Sequence, residues 1–210
     1  MEIEWFGSTT FILKNSIGKR VLIDPLEAIS NKKNYDFDVD IITLSHTPNN
    51  KSLKQYITKE CTIINDTSSF ANEYLTIDGY TSYKDNMNGF KRGENNIYLF
   101  NIDGFKLCHL GTVGHILDNK LISKLKNLDF LFIPIGGHFA LNGIDAAKLT
   151  LDITPKYIIP MFYRNMDEYP YLDGPHKFLS HMKNIKKYNT RSIQTSSLYF
   201  KNNNTVLLLK

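Results

Sequence analysis

Histidine is the side chain best suited to metal binding or proton transfer near neutral pH, and the chain carries six. His46 closes the apolar, β-branched run Ile41-Ile42-Thr43-Leu44-Ser45, and Pro48-Asn49-Asn50-Lys51 breaks the chain just beyond it. A buried strand that delivers a polar side chain at its C-terminal end is a common way to build a site. His109, His115 and His138 also fall at strand ends or turns. Together with His46 they could form a metal site if most of them converged at about 2.0–2.1 Å on one ion; scatter is the simpler expectation. His176 follows Gly174-Pro175 at a helix start and His181 lies within that helix, so both are expected at the surface or in a cap. Ser45, His46 and Asp24 supply, on paper, the parts of a nucleophilic triad. Neighbours in a strand point to opposite faces, which argues against it. Asp24 is instead expected to accept backbone N–H bonds. Gly136-Gly137 either lets the backbone approach a ligand or turns the chain.

The elements that must position these residues follow from periodicity and turn residues. Strand patterns run over 2–6, 9–13, 20–23, 40–45, 61–64 and 74–77. Residues 26–37 read as a polar loop, 52–57 as a short helix and 81–95 as a long polar loop. Asn96–Ile102 and Phe105–His109 flank Asp103-Gly104, a strong hairpin signal. Helical spacing covers 116–125 and 145–153, and Gly174-Pro175 opens a helix through Met182, with Pro suited to the first turn. Strands are expected at 129–135 and 157–160. Ser196–Phe200 and Thr205–Leu209 are expected to pair as a final hairpin. This order predicts one α/β (α+β) domain over 1–210, with two sheets and helices outside.

A chain of 210 residues with 42% hydrophobic and 22% charged residues has enough apolar surface for a proper core. The net charge of +4 is too weak to argue for nucleic acid, and no aromatic–basic groove is readable. Two cysteines, Cys61 and Cys108, sit in apolar runs and are expected to be buried, reduced thiols. The twelve Tyr and thirteen Phe are expected mostly in the core. The absence of an apolar leader pattern and of any apolar run near the about 18 residues of a membrane span predicts a cytoplasmic protein without membrane contact. The abundance of Asn, Lys and Ile hints at an AT-rich bacterial genome. The oligomeric state is not readable.

Several stretches then line up in order between residue 2 and about residue 164. They are Glu4-Trp5-Phe6-Gly7-Ser8 with Val21-Leu22-Ile23-Asp24-Pro25; Ile42 to His46; Cys108-His109-Leu110-Gly111-Thr112-Val113-Gly114-His115; Ile133-Pro134-Ile135-Gly136-Gly137; and Ile159-Pro160-Met161-Phe162-Tyr163. As a set they resemble the metallo-β-lactamase fold superfamily, in the small metal-dependent hydrolase branch that includes relatives of L-ascorbate-6-phosphate lactonase. The third stretch is similar to H-L-G-D-L-G-H, and the last two to I-P-V-G-G and I-P-M-H-Y. The resemblance implies an αββα sandwich of two mixed sheets, with helices on both outer faces and the site at one edge between the sheets.

It also implies a metal-ligand set that this chain departs from. Ligands of the motif H-x-H-x-D-H would fall on Pro48, Asn50 and Lys51, and only His46 remains. Further ligand positions fall on Ser8, Lys84, Thr112 and Phe162. Catalytic zinc needs about three protein ligands and an open position for water. Pro and Phe cannot coordinate, Asn50 offers only a neutral oxygen, and Lys51 and Lys84 bring positive charge to a place for cations. Without the metal, a water's pKa stays far above neutrality and the hydrolytic nucleophile is not made. The expectation is a homologue without cofactor, binding a small anionic ligand or a protein partner through His46, Lys51, Lys84, His109, Tyr163 and Arg164, with Tyr163 facing the pocket. The alternative is a hydrolase using zinc or manganese in a rearranged site.

Overall fold

Strict alternation along the first strands sets up two apolar faces. Phe11, Leu13, Val21, Ile23 and Ile41 join one buried cluster, while Ile12, Leu22 and Ile42 join another with Val39 and Leu44. A strand with a period of two that is apolar on both sides must be covered on both sides. The computed structural model describes residues 1–25, 38–46, 61–165, 170–199 and 203–210. A first sheet contains β1 (Glu2–Trp5), β2 (Phe11–Lys14), β3 (Arg20–Ile23), β4 (Ile41–Thr43) and β5 (Thr62–Ile64) in sequence order, with β13 (Ser192–Gln194) beside β1. Its first pairings are antiparallel, and those of β3 with β4 and β4 with β5 are parallel.

The second sheet has the order β12-β14-β11-β10-β9-β8-β7-β6. Its strands are β6 (Phe70–Ala71), β7 (Leu75–Tyr83), β8 (Glu94–Ile102), β9 (Phe105–His109), β10 (Phe130–Pro134), β11 (Tyr157–Met161), β12 (Asn184–Lys187) and β14 (Thr205–Leu208). Strands β6 to β9 form an antiparallel meander, and β9, β10, β11, β14 and β12 run parallel. Helix α1 (Asn119–Lys124) crosses from β9 to β10 and α2 (Gly143–Ile153) from β10 to β11; α3 (His176–Leu179) packs on α2. Right-handed crossovers between successive parallel strands put both connecting helices on one face. The other face of this sheet meets the first sheet, as in the 4.6 Å approach of the Phe11 and Phe132 rings. Two mixed sheets packed face to face with helices outside are therefore the architecture, as the sequence predicts. The helix expected at 52–57 lies outside the described residues, as does the loop expected at 26–37.

Local chemistry explains the elements. The β8–β9 hairpin turns at Asp103 (φ 51°) and Gly104 (φ 76°), the left-handed pair that a two-residue hairpin needs. Asn142 caps α2 by accepting the N–H groups of Ile144 and Asp145, and Asp118 caps α1 through Leu121 N–H. The helix expected through Met182 ends at Leu179, and two expectations about the strands fail. The terminal hairpin does not form: β14 lies parallel between β11 and β12, and 195–197 is a 3-10 turn. Central placement buries Thr205, Val206 and Leu207, which an edge hairpin would leave half wet. The polar loop is also shorter than expected, because β7 and β8 stay paired through Tyr83↔Glu94. There the cross-strand bonds of Ser82 and Asn95 satisfy polar side chains inside the sheet. Among the described residues no helix is long and apolar enough to cross a membrane.

Phe132 is fully buried and packs on both Phe11 and His109. Phe132→Ala is expected to cost about 3–5 kcal/mol, read as a lowered urea midpoint with an unchanged slope. A loss below about 1 kcal/mol would contradict this placement at the sheet–sheet contact.

Candidate functional site

The C-terminal end of β4 is tied down by one carboxylate. Asp24 is 1% exposed and left-handed (φ 47°) just past the end of β3. Its Oδ1 accepts the Ser45 N–H at 2.6 Å and its Oδ2 accepts the Ser45 hydroxyl at 2.5 Å. Its own carbonyl accepts from Thr10 Oγ1 at 2.6 Å. Ser45 is fully buried, and its Oγ lies 3.2 Å from His46 Nδ1. The expectation that Ser45 and His46 diverge fails, since β4 ends at Thr43 and strand alternation no longer applies at 45–46. The group is still no triad. The carboxylate holds the fully buried serine rather than the imidazole, so the acid–histidine–serine order of a triad is not built. Asp24 is the backbone-accepting carboxylate that the sequence suggests.

His46 is half-buried and faces a cavity of about 470 Å³ with Ser45, Asn65, Asp66, Thr67, Thr81, Lys84, Arg92, Gly93, Glu94 and Asn96. Burial pushes the imidazole below its ordinary value; the Asp24 carboxylate pulls it up and the Lys84 ammonium pushes it further down. The loop carrying Lys84 and Arg92 is clamped by Asp85, whose carboxylate accepts the N–H groups of Met87, Gly89, Lys91 and Arg92 at 2.7–3.0 Å. Gly114 fixes its base: its N–H donates to the Tyr83 carbonyl at 2.9 Å, and a Cβ there would collide with the Lys84 carbonyl. Arg92 Nη1 donates to that same Lys84 carbonyl at 3.4 Å, and both residues line the cavity.

The other expected site residues are dispersed. His109 is fully buried; its Nε2 donates to the Thr9 carbonyl at 3.0 Å and its Nδ1 accepts from Gly111 N–H at 3.2 Å. Both nitrogens serve the backbone, so His109 is corrected from ligand-binding to structural. His115 is similarly engaged, with Tyr83 N–H at 3.2 Å and the Ile116 carbonyl at 2.9 Å, and His138 is exposed. The four histidines therefore do not converge. His176 and His181 are exposed, as expected. Tyr163 and Arg164 line a different cleft, with no residue in common with the His46 cavity. Lys51, Pro48 and Asn50 lie outside the described residues. Gly136-Gly137 turns the chain, with Gly137 left-handed (φ 68°). What the sequence reading passes over is Asn95, fully buried, which donates to Ser82 Oγ and the Leu110 carbonyl and accepts Thr112 N–H. An Asn at a core-facing position of a strand was the available signal, hidden by the assignment of 81–95 to a loop.

Residues 2–162 match the family model described as the beta-lactamase superfamily domain. The chain belongs to this superfamily. A metal-dependent hydrolase of the UPF0173 group from Carboxydothermus hydrogenoformans is 39% identical over 66 residues, 31% of this chain and 29% of that relative. That match thus spans under a third of the relative's length. A crystal structure from Thermotoga maritima, assigned to the zinc-dependent hydrolases of the metallo-β-lactamase superfamily, superposes with a TM-score of 0.79 at 25% identity, covering 99% of this chain and 97% of that one. One from Parabacteroides distasonis, assigned as a metal-dependent hydrolase, gives 0.69 at 16%, covering 99% and 93%. The metallo-β-lactamase-like fold is thereby shown.

Such a family implies a metal centre, and the described side chains do not fit one. No three His, Cys, Asp or Glu side chains among the described residues group to hold an ion. Ser8 and Phe162 are both left-handed (φ 48° and 49°), buried, and joined by the 3.1 Å bond from Phe162 N–H to the Ser8 carbonyl. Phe162 adds an apolar ring to the core where the resemblance puts a ligand. Thr112 is 6% exposed, and its Oγ1 has no hydrogen-bond partner, the one orphaned polar atom at these positions. A neutral hydroxyl does not replace a bridging carboxylate.

The buried histidines set a pH dependence. Burial pushes His109 below its ordinary value, against the opposing pulls of Asp24 and the Thr9 carbonyl. The unfolded chain, with histidine near its ordinary value of about 6.5, then binds the proton more readily than the folded chain. The stabilisation is complete above about pH 6.5 and is lost as pH falls through the depressed folded value; His46 shifts in the same direction. The urea midpoint is expected to be level from about pH 8 to 7 and to decline between about 6.5 and 5. A level profile to about pH 5, or His109 ring signals titrating near 6.5 by NMR, would contradict it.

Proposed function

We propose that the chain is a non-hydrolytic homologue of the metal-dependent hydrolases, one domain over 1–210 in the bacterial cytoplasm, that binds a small anionic or polar ligand in the His46–Lys84 cavity. The observation that carries this reading is the shared cavity itself: His46 and Lys84 line it together, and the ammonium's charge acts on the imidazole. Lys84 and Arg92 both line the cavity and supply it with two cationic side chains, suited to a phosphate or carboxylate. The amides of Asn65 and Asn96 and the hydroxyls of Thr67 and Thr81 both donate and accept, which suits a hydroxylated body. Asp66 and Glu94 also line the space, so the anionic end belongs at the Lys84–Arg92 side.

Calorimetry against phosphorylated sugars and small carboxylates is expected to show binding that weakens with salt. Lys84→Met is expected to reduce it about tenfold or more, the scale of one charge-assisted bond. Metal content after purification without chelator is expected to be far below stoichiometric. Near-stoichiometric zinc or manganese, lost on His46→Ala, would instead favour a hydrolase with a rearranged site. Absence of binding to every compound, with no metal, would leave a protein-partner role as the better account.

A further inference from the structure

Tyr163 and Arg164 stand side by side on the wall of a second cleft. Tyr163 is 4% exposed, and its ring stacks on Trp5 at 5.6 Å, yet its hydroxyl makes no hydrogen bond to any described residue. A hydroxyl that no described residue uses, on a residue lining a cleft, is a candidate ligand contact. A cleft of about 370 Å³ is lined by Tyr163, Arg164, Pro175, Lys187, Tyr188 and Leu208, among others. Leu208 and Pro175, with the rings of Tyr163 and Tyr188, make an apolar floor. Arg164 and Lys187 are exposed at the rim, and neither forms an ion pair with any described residue. Backbone bonds hold the rim: Arg164 N–H donates to the Asp173 carbonyl at 3.0 Å and Tyr188 N–H to the Leu208 carbonyl at 2.9 Å.

We propose that this cleft is a second binding site, separate from the His46 cavity, for a small carboxylate with an apolar body. The Arg164 fork takes the two carboxylate oxygens, and the Tyr163 hydroxyl donates to one of them. The apolar body lies on Leu208, Pro175 and the tyrosine rings. Burial pushes the Tyr163 phenol up, which keeps it protonated and a donor at neutral pH. The volume falls within the range of small-molecule pockets, about 300–1,000 Å³.

The test is an NMR titration of the full chain with hexanoate, hexanol and inorganic phosphate. Hexanoate is expected to bind most tightly and to shift amides at 163–164, 187–188 and 208, with the His46 cavity undisturbed. Tyr163→Phe keeps the ring on Trp5 and is expected to weaken hexanoate about tenfold. Arg164→Met, at an exposed side chain, is expected to do the same and serves if the tyrosine variant misfolds. Hexanol binding as tightly would remove the carboxylate from the proposal, and phosphate binding as tightly would remove the apolar body; either overturns it. So would hexanoate shifts centred on His46, Thr81 and Asn96, wild-type affinity in both variants, or no binding of hexanoate.

Discussion

Everything at the site edge hangs on the carboxylate of Asp24. Both of its oxygens are committed to one residue, Ser45, across the parallel pair β3 and β4. A carboxyl group buried at the end of an inner strand is costly to desolvate, and short hydrogen bonds offset that cost. The bonds at 2.5 and 2.6 Å do so, and they fix where the chain leaves the strand. Asn96 N–H then donates to the Ser45 carbonyl at 2.6 Å, joining the end of the first sheet to β8 in the second. His46 is therefore presented from a rigid support, although it stands just outside a strand.

A second layer of order comes from side chains that replace backbone pairing where loops converge. Asn95 bridges β7, the Leu110 carbonyl and the Thr112 N–H, and Asp85 gathers four N–H groups of the loop that carries Arg92. Such fully satisfied polar networks rigidify a site rim. Three non-glycine residues at strand ends, Ser8, Asp24 and Phe162, are left-handed with φ between 47° and 49°. Residues held in sparsely populated backbone regions cluster where a fold presents a site. Here those three positions carry a serine, a carboxylate already bonded to Ser45, and a phenyl ring in the core.

The strands with strong period two, and the hairpin at Asp103-Gly104, were legible because local sequence and final environment agree there. The last strand was misread because β14 takes its partners from β11 and β12, distant in sequence, and nothing local to 205–208 marks a parallel register. The site was half legible. His46 and Lys84 were placed together by their motif positions and do share a cavity. Tyr163 and Arg164 were grouped with them because they adjoin a ligand position at 162. The left-handed turn at Phe162 redirects the chain, and the two residues line another cleft. His109 illustrates the opposite error: a histidine inside a family motif reads as functional, yet its burial and two backbone bonds make it part of the core.

The pairing of β1 with β13 joins Glu2 to Gln194. On a ribosome adding about 5–20 residues per second, β1 must wait on the order of ten to forty seconds for that neighbour. Until then one edge of the first sheet is open, and its apolar side chains have no settled cover. Closing so long a loop is entropically slow. The first sheet thus closes its β1 edge only once residues 192–194 have been made, and a nascent chain stalled before residue 192 would be a natural client for a chaperone.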